Sequence, residues 1–215
     1  MTSEVILAPM FQDAYVKLDQ LETEALLSRI GKNLEAGDFV PANTVVMSRP
    51  LSFYPGHIFY DIADHTHMPA QRRFAVVGEE KGDVTILDFT NNPIYALNES
   101  CPIDLTDDNV TDYIRFFFSY VRGRHGRFQI VESVDDINWR EEPPPPARKA
   151  VGKMVSPITV LEKDEEETWH FSAQMIFRDS LFQSNISVQP SGLVRLSNEQ
   201  LMIEDMPVMD DTFGQ

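Results

Sequence analysis

The stretch Leu105–Glu132, LTDDNVTDYIRFFFSYVRGRHGRFQIVE, decides the fold. Val110, Tyr113, Ile114, Phe117 and Val121 recur at three- and four-residue spacing, so they share one face of a helix. Phe116 and Phe118 widen that face until little of the helix is polar, which predicts a helix covered on two sides. Thr106 is placed to cap the first turn, and Asp107, Asp108 and Asp112 suit the positive end of the helix dipole. Gly123 is the expected stop, because glycine enters the left-handed conformation without a Cβ clash. Arg127–Val131 then reads as a strand.

Beyond this stretch the chain turns into an antiparallel meander. From Trp169 to Phe177 the residues alternate, with Phe171, Ala173, Met175 and Phe177 on one face and His170, Ser172, Gln174 and Ile176 on the other. Phe182, Ile186 and Val188 continue the pattern, and Leu193–Leu196 and Leu201–Ile203 follow a turn at Pro190-Ser191-Gly192. Val155–Leu161 is the strand expected before it. Upstream, Arg73–Val77 and Val84–Phe89 form a hairpin about Glu80-Lys81-Gly82-Asp83, and Ile58–Ile62 is a further strand. Val40–Pro55 is punctuated by proline and is expected to be irregular or edge-like. Asn91-Asn92-Pro93 is read as a turn before a short strand or bridge at Ile94–Leu97.

An amphipathic helix is expected over Phe11–Leu34, with Phe11, Tyr15, Leu18, Leu21 and Ala25 in one stripe continued by Leu27, Ile30 and Leu34. The consecutive prolines Pro143–Pro146 lack N–H groups and fix φ, so an extended polyproline segment is expected there.

Few helices, sequential strands with short turns and no βαβ rhythm define an α+β fold. It comprises an N-terminal amphipathic helix, an aromatic helix on largely antiparallel sheet, and a C-terminal β-meander. This element order resembles that of cystatin-like and NTF2-like folds, as an analogy of order alone, and such folds host enzymes and pure binders alike. The expected organisation is an N-terminal helical segment over 1–37, an α+β domain over 38–139 and a proline-rich linker or surface connection over 140–150. The meander follows over 151–207, either separate from 38–139 or continuous with it, and an acidic tail closes the chain over 208–215.

Composition narrows the chemistry. The chain has 215 residues, enough to bury roughly 70% of its unfolded surface without disulfides or metals. A formal net charge of -16 opposes general nucleic-acid binding and docking on anionic membranes. With Cys101 as its single cysteine the chain forms no internal disulfide and no multi-cysteine zinc site. Cys101 stands before Pro102 without a surrounding motif, and is read as a small buried hydrophobe. MTSEVILAPM lacks the basic region and long apolar core of a secretory signal, so a cytoplasmic location is expected. Neither Gly-x-Gly-x-x-Gly nor a phosphate-binding Gly-x-x-x-x-Gly-Lys-Ser/Thr loop occurs, and no cofactor is expected.

Three sets of residues are candidate sites. Arg122, Arg124, His125 and Arg127 gather positive charge in an acidic chain and suit a small anion or an acidic partner. The structural alternative is that they complement a helix C-terminus and pair with carboxylates. His170, Gln174 and Asn185 can line a cleft on the polar face of the meander, or can simply be solvated. Asp64, His65 and His67 form a weak metal-binding pattern, two histidines at i and i+2 beside a carboxylate. With no nucleophile elbow present, the expectation is a non-enzymatic binding or assembly protein. It can self-associate through the N-terminal helix or engage a protein partner. A small-molecule enzyme or ligand carrier with an anion cleft at the arginine loop is the alternative.

Overall fold

The computed structural model describes residues 15–34, 39–80, 82–123 and 125–209. They form an α+β fold with two antiparallel sheets, divided into two compact units at Asp104–Leu105. The division falls in front of the aromatic helix. The proline stretch, expected to be a linker or a surface connection, lies inside the second unit.

In the first unit, β1 (Val16–Lys17) and α1 (Gln20–Ile30) precede a meander of β2 (Thr44–Pro50), β3 (Ile58–Asp64), β4 (Gln71–Val77) and β5 (Val84–Leu87). The sheet order is β1-β2-β3-β4-β5. Asp19 starts α1 through a reciprocal capping box with Glu22, so the helix begins at Gln20, and the part of the expected helix over 11–14 lies outside the described residues. Its buried face is Thr23, Leu26, Leu27 and Ile30, while Leu21, assigned to the apolar stripe, is 75% exposed. Leu26, Leu27 and Ile30 pack with Leu34, Phe39, Val46, Ile62, Ala75 and Val77 in one core. The helix therefore buries its apolar face on its own sheet.

Two segments of this unit differ from what their sequence predicts. Val40–Pro55, expected to be irregular or edge-like, contains β2, which lies between β1 and β3 and pairs along its full length with β3; Pro50 sits at its last position, where a missing N–H costs least. Ile94–Leu97 is not a strand but part of α2 (Asn92–Ser100). Pro93 occupies its first turn, where no intrahelical N–H is needed, and Ile94 and Leu97 share the buried face.

The second unit opens on the aromatic helix α3 (Val110–Tyr120), in which Val110, Tyr113, Ile114, Phe116, Phe117, Phe118 and Tyr120 are all buried. It starts later than Thr106: Asn109 is the N-cap, and its Oδ1 accepts the Thr106 N–H at 2.8 Å. It ends before Gly123, which instead pairs with Gly126 across a tight turn. β6 (Phe128–Ile130) follows, then α4 (Pro145–Gly152), β7 (Thr159–Lys163), β8 (Trp169–Phe177), β9 (Ser180–Val188) and β10 (Val194–Ile203).

The path β10-β9-β8-β6 forms the sheet, and β7 pairs with the part of β8 that β6 leaves open. Trp169, Phe171, Ala173, Met175, Ile186, Val188 and Val194 are buried on the alternation read from sequence. Three contacts tie α3 and the segment before it to the sheet and its connections. The Trp169 Nε1–H donates to Asp107 Oδ1 at 2.7 Å, the Tyr113 hydroxyl donates to the Gly192 carbonyl at 2.7 Å, and the Arg115 guanidinium reaches Glu132 at 2.7 Å.

The tetraproline segment is helical in its second half. Pro144 is extended, at φ -53 and ψ 142, but Pro145 and Pro146 open α4, where proline's fixed φ is already helical. The segment 204–209 is anchored to the body of this unit. Met206 and Val208 are 5% and 2% exposed, and Val208 bridges Trp139. They join Val131, Ile137, Val151, Ile176 and Leu181 in a second core on the far face of the sheet.

Candidate functional site

Three loops of the first unit bring one thiol, one imidazole and one carboxylate together. His57 closes the β2–β3 connection, in which Gly56 takes φ 75 and the His57 N–H donates to the Tyr54 carbonyl at 3.0 Å. Asp83 ends the β4–β5 turn, where Gly82 takes φ 97 and the Gly78 N–H donates to the Asp83 carbonyl at 3.0 Å. Cys101 is the C-cap of α2, its N–H bonded to the Leu97 carbonyl at 2.7 Å.

The imidazole is the hub. Its Nδ1 lies 3.7 Å from Cys101 Sγ and 3.1 Å from the Pro55 carbonyl, and its Nε2 lies 3.0 Å from Asp83 Oδ2. The Nε2 contact is at ion-pair distance but falls short of good hydrogen-bond alignment. His57 is 8% exposed, whereas the Asp83 side chain is 36% exposed and Cys101 is half-buried. Burial, followed by the nearby Asp83 charge, pushes the Cys101 thiol above its ordinary range, so the group rests as an uncharged thiol.

Two further residues build this corner. A Cβ on Gly78 would stand 1.8 Å from Asp83 Oδ2 and 2.8 Å from His57 Nε2, so only glycine leaves room for the pair. Arg29 of α1 reaches over the turn and donates to the carbonyls of Gly78 and Glu80. The Tyr54 ring lies against His57, with centroids 6.2 Å apart, and its hydroxyl donates to Asn98 Oδ1 on α2.

None of this was legible as a motif. His57 and Cys101 are 44 positions apart, and Asp83 reads as an ordinary turn aspartate. The Gly56-His57 and Gly82-Asp83 pairs were the sole local hint, each marking a tight turn that ends on a titratable group.

The residues singled out from sequence lie elsewhere. Asp64 is buried, and its Oδ1 accepts from the Thr66 N–H at 2.8 Å and the Thr66 hydroxyl at 2.7 Å, which hold its carboxyl below the usual range. It therefore closes a turn, with His65 and His67 exposed beside it. Among the described residues no three His, Cys, Asp or Glu side chains are grouped to hold a metal.

The Gly123–Gly126 pair places Arg122 and Arg127 on the two sides of the turn's stem, both half-buried, with His125 exposed at the tip. Arg124 lies outside the described residues. On the meander, the His170 ring faces Asp164 at 2.9 Å. Gln174 is 8% exposed and accepts from the Ser156 N–H at 3.1 Å. Asn185 sits opposite Ser172. Gln174 and His170 thus spend their polar atoms on the chain itself rather than converging on a common space.

No family model, no curated protein and no solved structure matches the chain. Among the described residues, no helix is long and apolar enough to cross a membrane.

Proposed function

We propose that the chain is a cytoplasmic, non-enzymatic binding or assembly protein that takes an extended, basic segment of a partner protein along β7. The observation that carries this reading is the exposure of β7. Every one of its residues is exposed, and Val160 and Leu161, adjacent in sequence, are 58% and 53% accessible. Among the described strands β7 pairs with β8 alone, and its register slips between Val160 and Glu162. Strand addition at such an edge uses main-chain hydrogen bonds for affinity and side-chain contacts for choice of partner. Charge selects the occupant: Glu162 lies in the strand and Asp164, Glu165, Glu166 and Glu167 in the turn that follows it, and the net charge of -16 opposes a second copy.

A probe peptide of alternating lysine and valine tests the reading by fluorescence anisotropy. Binding should weaken with added salt, since exposed charges are screened over about 8 Å at physiological ionic strength. It should also fall at least tenfold in V160K/L161K, which removes the apolar contacts and repels the lysines of the probe. Equal binding by that variant, or none by the native chain, overturns the proposal. The anion-binding reading of the arginine loop stands second, favoured by the stem that sets Arg122 and Arg127 on either side of one turn. Titration of inorganic phosphate, with Arg127→Ala as control, measures it.

A further inference from the structure

The three-loop corner of the first unit goes beyond binding. We propose that Cys101 is an acyl acceptor, whose thiol attacks an ester or thioester with His57 as general base and Asp83 as positioning residue. A nucleophile, a base within reach of it and a third group orienting the base are the parts such a step requires. They stand here at 3.7 Å and 3.0 Å.

The neighbours of the ring fit the charge that the step creates. A neutral ring with its proton on Nε2, the tautomer the Asp83 carboxylate favours, leaves the Nδ1 lone pair between the thiol at 3.7 Å and the Pro55 carbonyl oxygen at 3.1 Å, a contact that is relieved when Nδ1 takes up a proton. When Nδ1 takes the thiol proton, the ring becomes an imidazolium with a donor on each nitrogen. Both then find an acceptor in place, the Asp83 carboxylate at 3.0 Å and the Pro55 carbonyl at 3.1 Å. The resting thiol is uncharged, so proton transfer accompanies attack rather than preceding it. Gly78 supports the assignment independently, because its missing side chain is the space in which Asp83 meets His57.

The step balances without a further reactant. The Sγ–H bond breaks and its proton goes to His57 Nδ1. Sγ bonds to the acyl carbon, and the bond from that carbon to the leaving oxygen or sulfur breaks. The leaving group takes the proton from Nδ1, so Cys101 ends as a thioester and the ring returns to neutral.

The test uses the full chain and p-nitrophenyl acetate at neutral pH. The native protein should release one nitrophenolate per chain in a fast phase, and peptide mass spectrometry should find the acetyl group on Cys101. His57→Gln should slow that phase roughly a hundredfold, the size of a general-base contribution. The residual rate should rise only at alkaline pH, where the thiol ionises unaided. Asp83→Asn should slow it too without moving the melting temperature, because the amide also accommodates the wrong ring tautomer. Should a variant fail to fold, the native chain is compared with the same chain in urea: native Cys101 must react faster. Acetylation confined to lysines, or a native rate no higher than the unfolded rate, overturns the proposal. So does a folded His57→Gln that reacts like the native chain. None of these outcomes depends on β7, so this inference and the binding reading fail separately.

Discussion

Both units are built as a helix laid on an antiparallel sheet, yet one polar network in each serves a different end. In the unit over 105–209, charges beside α3 are consumed internally. Arg115 bonds Glu132 and Asp112, Trp169 bonds Asp107, and Glu132 also accepts the Ile158 N–H at 3.1 Å. In the unit over 15–104, the connecting loops aim His57 and Asp83 at a thiol that still carries its proton. Buried polar groups that satisfy one another hold a fold in register. A base set beside a nucleophile leaves a proton free to move. The difference separates a structural network from a chemical one inside a single chain.

The largest effect expected from this comparison belongs to α3. Phe117 is 5% exposed in a helix buried nearly all round, so Phe117→Ala should cost about 3–5 kcal/mol. Leu27, 8% exposed on the one-sided α1, should cost about 2–3 kcal/mol as Leu27→Ala. Urea melts of the two variants measure both, and a smaller loss at Phe117 than at Leu27 would reverse the ranking of the two helices.

Gly78→Ala sharpens the contrast from the other unit. Its Cβ forces Asp83 away from His57, and the carboxylate can swing outward, so the stability loss should stay near 1 kcal/mol. Cys101 should nevertheless lose its fast acetylation. Retention of both would show that Asp83 is dispensable. A loss of about 1 kcal/mol with no change at Cys101 is expected of Asp19→Ala, which removes the α1 capping box far from the thiol.

The smallest effect is a slope. Burial alone would raise the Glu132 carboxyl, but the Arg115 hydrogen bond and charge, with the Ile158 N–H, hold it below its ordinary range. A depressed carboxyl stabilises the fold above its unfolded pKa, and this contribution is lost as pH falls through the folded value. Glu132→Gln should therefore flatten the acid side of the stability–pH curve. Parallel curves for variant and native chain would mean that Glu132 gains nothing from Arg115.

How much of this could be read in the sequence differs between the units. The aromatic periodicity of Val110–Tyr120 and the alternation of Trp169–Phe177 specify buried faces directly, because burial is what sets a period of 3.6 or 2. Pro93 and Pro145 misled the reading, since proline punctuates loops but also opens helices, and only tertiary context selects between the two. Leu21 was assigned to the core stripe because periodicity gives a face but not its angular limits; the sheet accepts only the arc centred on Leu26, Leu27 and Ile30. The thiol corner left no period at all. Its members come from three turns, and turns carry no repeat that reports what their tips will meet.

The claim that one network is chemical and the other structural is tested most directly by crossing two glutamine variants with two readouts. His57→Gln and Glu132→Gln are each measured for iodoacetamide alkylation of Cys101 at neutral pH and for urea stability. His57→Gln should slow alkylation sharply with little loss of stability, and Glu132→Gln should lower stability while alkylation of the folded chain stays unchanged. Alkylation that ignores His57, or that falls equally in both variants, would contradict the account.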